Sequence, residues 1–210
     1  MKFILAILVF LHLFTHVQKA PPPVKILPTV TPYVSNWYYP LINTRGRSSL
    51  KTFGQYFDAG SYIGKDAVFP NHYLGYHAGT DFELLPGEID SRVPVYAVSG
   101  GEIVFIGQVQ GYGGLILEKL FQAPYTALYG HLDLSQVKLL NHARVPPGRL
   151  LAYLGRAFSS QTGGERQHLH LGLYTKNGLY FRGYEPSLSA LNSYWIDPLA
   201  FLKSRQAIEP

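Results

Sequence analysis

The chain of 210 residues contains no cysteine, which removes thiolate metal ligands, a cysteine nucleophile and disulfide staples from consideration. Its stability has to come from a packed core. Charge is sparse as well: Asp, Glu, Lys and Arg make up 15% of the residues, and the net charge of +5 falls to +3 once Lys2 and Lys19 are left out. The cations are scattered, with only Arg45 and Arg47 approaching a cluster. The basic stripe that nucleic acid requires is missing, so no nucleic-acid partner is expected. A mildly basic surface suits an anionic polymer or a lipid surface instead. The amino-terminal apolar run, Phe3 to Thr15, has 13 residues and is interrupted by His12. That is short of the about 20 residues needed for a comfortable membrane span. There is no internal repeat with a period of about 20 to 50 residues, which excludes solenoids and propellers.

The same run, behind Lys2, has the length of a signal-peptide apolar region. Residues 1–20 are therefore expected to be a signal peptide or a short membrane anchor, and the protein to be exported to the periplasm, cell envelope or exterior. Cleavage after Ala20 would place Gln18 and Lys19 where a small-X-small pattern is wanted, which keeps an uncleaved membrane tether open. Ala20-Pro21-Pro22-Pro23 then breaks any helix. Residues 21–50 are rich in proline and aromatics, among them Trp37, Tyr38 and Tyr39, and read as an extended lead-in. The stretch 51–205 has the length of one core and is expected to be a single domain, working as a monomer.

What the chain does have is patterned histidine. Of 8 histidines, six follow residue 20, and four of those fall in three segments: His77-Ala78-Gly79-Thr80-Asp81, Tyr129-Gly130-His131-Leu132 and His168-Leu169-His170. His72 and His142 look incidental. Alternate residues of a strand point to one side, so His168 and His170 can present both imidazoles to one pocket. His77 and Asp81, four apart, share a face in a strand and in a helix alike. Gly79 between them, with Tyr76 and Phe82 at the flanks, favours a turn leading into a strand. With 8 His and 6 Asp, chance supplies roughly 0.3 His-X-His pairs and roughly 0.2 His-X3-Asp pairs, so neither motif carries a conclusion singly. Their coincidence beside strand-like apolar sequence does. Nitrogen and oxygen donors suit zinc, whose catalytic sites usually have three protein ligands and a water of pKa about 7. Five candidate groups for three ligand places leave two over, and imidazoles beside that water suit acid–base work on an amide. Spacing leaves His168 and His170 as equally plausible ligands.

The pattern extends beyond the histidines. The opening His77-Ala78-Gly79-Thr80-Asp81-Phe82, the strand from Val93 to Val104 and the turn Gly111-Tyr112-Gly113-Gly114 come first. Tyr129-Gly130-His131-Leu132, the turn Val145-Pro146-Pro147-Gly148 leading to Leu154-Gly155, and His168-Leu169-His170-Leu171 follow. In order and spacing, the stretch from about Tyr76 to Leu173 resembles the lysostaphin and LytM type of zinc endopeptidase, which cleaves peptide bonds in bacterial peptidoglycan. Trp195-Ile196-Asp197-Pro198 with Phe201-Leu202 is similar to the way such catalytic domains close. The resemblance implies one Zn2+ per chain bound by His77, Asp81 and His170, with His131 and His168 as the catalytic pair facing water and substrate. It implies peptidoglycan as the partner. Some relatives use a tyrosine upstream of the first ligand to stabilise the oxyanion; Tyr73 and Tyr76 are candidates, and ordinary aromatic packing accounts for either equally well. The segments Leu117 to Thr126 and Phe158 to Gln167 depart from the family pattern, which bears on substrate rather than metal.

A metal-binding but catalytically idle wall-binding or amidase-activating protein of the same fold is the alternative from another class. A phosphocarrier on a related β-fold is a third, and an export signal speaks against it.

Short β-rich runs punctuated by Gly, Pro and Asn are predicted at Val93–Val98, Glu102–Ile106, Leu115–Leu120, Thr126–Tyr129, Leu150–Leu154 and His168–Tyr174. Helix is scarce: one short turn over Leu134–Leu140, and another over Pro198–Lys203 capped by Asp197. The predicted fold is all-β, an antiparallel β-sandwich or open barrel of the lysostaphin type, with the site residues at strand ends.

Overall fold

The computed structural model of the chain describes residues 36–58, 74–89 and 91–210. The expected amino-terminal signal or anchor over residues 1–20 lies outside the described residues, as does Tyr73. No helix among the described residues is long and apolar enough to cross a membrane.

In chain order the strands are β1 (Tyr56–Phe57), β2 (Gly75–His77), β3 (Thr80–Glu83), β4 (Pro94–Tyr96), β5 (Gly101–Val109), β6 (Gly113–Leu120), β7 (Thr126–Asp133), β8 (Arg144–Val145), β9 (Leu150–Leu154), β10 (His168–Tyr174) and β11 (Tyr184–Glu185). Helix α1 (Leu188–Tyr194), strand β12 (Trp195–Ile196) and helix α2 (Pro198–Ser204) complete the described part. One sheet of nine strands runs β12-β10-β7-β6-β5-β8, with β3 beside β10 and β9 joining β7 to β4. A second, three-stranded sheet runs β1-β2-β11. Every pair of these strands is antiparallel. The fold is all-β, as the short punctuated runs predict.

The central strands are buried on both faces, and side-chain alternation divides them between two apolar clusters. Ile116 and Tyr129 enter the larger cluster with Val95, Ile103, Leu132 and Leu202, whereas Leu115, Leu117 and Leu128 enter the smaller one with Tyr112, Leu191 and Trp195. On β10, Leu169, Leu171 and Leu173 face the larger cluster. The intervening His168 and His170 therefore emerge on the opposite face, where the site is built.

Trp37, Tyr39 and Leu41 are buried members of the larger cluster. Their backbone is tied on both sides: Tyr38 N–H donates to the Val98 carbonyl, and Tyr39 N–H to that of Ile208. At the far end, Asp197 caps α2 by accepting from the backbone N–H of Leu199 and Ala200 at 2.9 and 3.1 Å, with Pro198 opening the helix.

Two local expectations change. Leu134–Leu140 contains no helix: Val137 N–H reaches the Leu134 carbonyl in one turn. Asp133 draws that turn tight by accepting from Ser135 N–H, and the chain then runs on without regular structure. Helix α1 had no apolar period to announce it, because Leu191 is its one buried residue; the Ser187 side chain caps it by accepting from Ala190 N–H.

Candidate metal centre

Strand pairing brings the separate segments together. In the β3–β10 ladder His170 stands opposite Asp81 and His168 opposite Glu83. On its other edge β10 pairs with β7, where Gly130 faces His170. His77, the last residue of β2, arrives from the small sheet, opposite Tyr184 of β11.

His131 reaches the site through a bulge. On β7, Gly130 pairs with Leu115 and Leu132 with Gly114, so His131 has no partner of its own in β6. Its φ of 65° lies in the left-handed region, which a β-carbon makes unfavourable by about 1–2 kcal/mol. Bulges of this kind re-aim a side chain, and the strain is held by the surroundings: His131 N–H donates to the Tyr112 carbonyl, and Gly155 N–H to the His131 carbonyl.

The five groups converge in one buried cluster. His77, Asp81, His131, His168 and His170 are each at most 5% exposed. His77 Nε2 and His170 Nδ1 are 3.0 Å apart, and Asp81 Oδ1 lies 3.2 Å from the first and 3.0 Å from the second. His168 Nε2 is 3.2 Å from Asp81 Oδ2, and the rings of His131 and His168 are 4.3 Å apart.

The outer ring nitrogens explain the orientation. His77 Nδ1 faces the Thr52 carbonyl at 3.2 Å, His131 Nδ1 that of Thr162 at 2.9 Å, and His168 Nδ1 that of Arg166 at 2.9 Å. A carbonyl only accepts, so each Nδ1 carries the proton and each Nε2 turns a lone pair inward. His170 is reversed: its Nε2 lies 3.5 Å from the Tyr112 hydroxyl, and Nδ1 faces inward. Two imidazole lone pairs and a carboxylate oxygen thus confront one another. A tetrahedral zinc ion with bonds of about 2.0–2.1 Å needs donors about 3.3 Å apart. The spacings of 3.0–3.2 Å fit that donor set, so His77, Asp81 and His170 could hold a metal ion.

The charge states suit the same arrangement. Burial opposes ionisation of Asp81, but its contacts with His168, His77 and His170 outweigh it and hold the carboxyl well below the usual range. Burial pulls His170 down to about 4, against the hydrogen bond to Asp81 that works upward. His131 is also pulled well below its ordinary value, first by burial and then by the neighbouring charge of His168. Both rings are neutral at pH 7, with a lone pair to offer.

Several neighbours of the cluster carry no sequence motif of their own. A cavity of about 380 Å³ opens over the cluster, with Lys51, Tyr112, Glu165, Phe181, Arg182 and Tyr184 in its walls. The Tyr112 ring is 5.2 Å from that of His170, and the Tyr184 ring 5.2 Å from that of His77. Tyr76, by contrast, packs on its strand partner Tyr56 at 4.9 Å and does not line this cavity. Glu83 was detectable by parity, since it sits two residues from Asp81 along β3; Arg166 lies in the loop two residues before His168. His142 is exposed and bonded to Glu102, outside the cluster.

The fold has solved counterparts. The catalytic domain of the antimicrobial peptidase lysostaphin from Staphylococcus simulans superposes with a TM-score of 0.52 at 23% identity, covering 76% of this chain and 95% of that one. LytU gives 0.51 at 25% identity, over 76% and 87%. CbpA from L. salivarius gives 0.51 at 20% identity, over 81% and 96%. No curated protein matches the chain. Residues 75–182 match the model of peptidase family M23, a span that contains all five clustered side chains, and the chain is a member of that family.

Proposed function

We propose that this protein is a zinc-dependent endopeptidase that hydrolyses peptide bonds in the stem or cross-bridge peptides of bacterial peptidoglycan. One Zn2+ per chain is held by His77 Nε2, His170 Nδ1 and Asp81 Oδ1, and His131 and His168 are the catalytic pair. The supporting observation is the convergence of three buried inward-facing donors with two further imidazoles beside them.

When bound, zinc supplies Lewis acidity at a peptide carbonyl and lowers the pKa of water. The chain's own groups do the remainder. His131 and His168 each have Nδ1–H fixed on a main-chain carbonyl, which leaves Nε2 to take a proton from water and return it to the departing amine. His131 is suited to accept at neutral pH because burial keeps it unprotonated. The Tyr112 and Tyr184 rings narrow the cavity around the reacting peptide, and Lys51, Glu165 and Arg182 supply charge along its walls. Peptidoglycan as substrate is supported by the family membership and agrees with an exported chain, either secreted or tethered by its amino terminus.

Digestion of purified sacculi with and without a chelator, with mass analysis of the released fragments, tests this reading. New amino termini within stem or bridge peptides, lost on chelation and restored by zinc, are expected. Zinc retained with no peptide released would favour an idle wall-binding protein; cleavage indifferent to chelation would overturn the metal assignment.

A further inference from the structure

Asp81 presents its two carboxylate oxygens to different partners. Oδ1 faces His77 and His170, whereas Oδ2 accepts from Arg166 Nη2 at 3.0 Å. Arg166 is itself held in a fork: Nε donates to Glu83 Oε2 at 2.9 Å and Nη2 to Glu83 Oε1 at 2.5 Å. Strand alternation accounts for the meeting. Residues 168 and 170 fall on one side of β10 and residues 81 and 83 on the matching side of β3, opposite His170 and His168, and Arg166, in the loop just before β10, reaches that same side. The guanidinium is largely buried, with 12% of its side chain exposed, and Glu165 Oε2 lies 3.6 Å from Nη1. A buried arginine among three carboxylates is more than a surface ion pair, which contributes little. It has a fixed plane and three directed bonds, an arrangement that an ammonium could not supply.

We infer that Arg166, oriented by Glu83, is a positioning residue for the metal centre: it captures Oδ2 of Asp81 so that Oδ1 alone is offered to the cation. This rests on the zinc reading above. Without Arg166, the nearest remaining partner of Oδ2 is His168 Nε2 at 3.2 Å. His168 Nε2 carries no proton to give it, so the carboxylate would lose its fixed plane and Oδ1 would be drawn out of the donor triangle. Electrostatics alone argues the other way, because removing a cation from beside a cation site should tighten binding. The sign of the change therefore separates positioning from simple charge.

The test is zinc affinity of the full chain, measured by competition with a chromophoric chelator at neutral pH, for wild type, Arg166→Met, Arg166→Lys and Glu83→Gln. Loss of a partner behind a ligand typically weakens metal affinity about 10–100-fold, which is expected for Arg166→Met. Arg166→Lys should recover part of the loss, and Glu83→Gln should fall between the two. The zinc-induced rise in melting temperature should shrink in step, whereas a purely structural clamp would lower the melting temperature equally with and without zinc. Unchanged or tighter affinity in Arg166→Met overturns the inference. Should that variant not fold, wild-type affinity in both Arg166→Lys and Glu83→Gln overturns it equally. A wild-type chain that binds no zinc overturns the metal reading and this inference together; a zinc-binding wild type with indifferent variants overturns this inference alone.

Discussion

The imidazole rings of His131 and His168 lie 4.3 Å apart, and each has its Nδ1 anchored on a main-chain carbonyl, that of Thr162 for the first and of Arg166 for the second. Neither belongs to the triangle formed by His77, Asp81 and His170. His131→Ala and His168→Ala should each lower wall-peptide hydrolysis by at least about 100-fold, the low end of what a positioned acid or base contributes. Bound zinc, measured by elemental analysis, should stay near one per chain. His77→Ala and Asp81→Ala should lose both. Equal lytic activity in wild type and His168→Ala would reject the catalytic assignment.

The left-handed backbone at His131 predicts a separation of stability from activity. His131→Gly removes the β-carbon that makes this conformation unfavourable, so the variant should be inactive yet as stable as wild type or more so, by up to about 1 kcal/mol. His131→Val should be both inactive and destabilised, since a β-branched side chain tolerates this region worst. Denaturant midpoints of the three proteins check this; a His131→Gly variant markedly less stable than wild type would mean the bulge is not strained.

Gly79 sits where no side chain fits. A β-carbon there would lie 2.5 Å from the Leu171 carbonyl oxygen and 2.6 Å from the His170 ring. Gly79→Ala must displace one or the other, and overpacking of this kind costs about 1–3 kcal/mol. Zinc affinity is expected to fall more than tenfold, because the movable neighbour is the His170 imidazole. An alanine variant with wild-type affinity would show that the backbone gives way instead.

Glu118 predicts a pH dependence remote from the metal centre. It is fully buried in the sheet, and its Oε2 accepts from the Tyr129 hydroxyl at 2.6 Å. Tyr129 in turn accepts from Val98 N–H at 2.9 Å. Burial pushes the Glu118 carboxyl up to about 8 from 4.5, although the Tyr129 hydrogen bond works downward. Between those values the folded chain keeps a proton that the unfolded chain has released. The stability from this group is therefore complete below about pH 4.5 and lost as pH rises through about 8, with a slope of up to about 1.4 kcal/mol per pH unit. Glu118→Gln, which retains an acceptor for Tyr129, should flatten that fall in denaturation experiments from pH 5 to 9. Identical slopes in the two proteins would remove Glu118 as the cause.

Much of the architecture was legible because alternation and punctuation are local signals. Leu150–Leu154 and His168–Tyr174 form strands over the expected residues, and Asp197-Pro198 opens a helix. Strand β7 runs past the predicted end at Tyr129 to Asp133, since Gly130 reads as punctuation but serves to let the chain pass the Tyr112 ring, which a β-carbon at Gly130 would approach to 2.5 Å. The bulge at His131 was not legible: a left-handed φ at histidine is imposed by hydrogen bonds from distant loops. The loop before β10, unfamiliar in composition, carries the Thr162 carbonyl and Arg166, whose importance depends on what lies across the fold.

The sequence by itself determined the chemistry on offer. It supplied imidazole and carboxylate donors without any thiolate, set at strand parity, in the order and spacing of a family. Strand parity alone could not distinguish His168 from His170, because both face the same side of one strand; the family resemblance implied the division. Only the tertiary structure gives the two rings different surroundings: β10 is held between β3 and β7, which turns His170 Nδ1 toward Asp81 and His77, while the Arg166 carbonyl takes His168 Nδ1 and leaves that ring beside His131. A ring nitrogen's direction is set by whatever its opposite nitrogen bonds, and those partners come from segments far away in the chain.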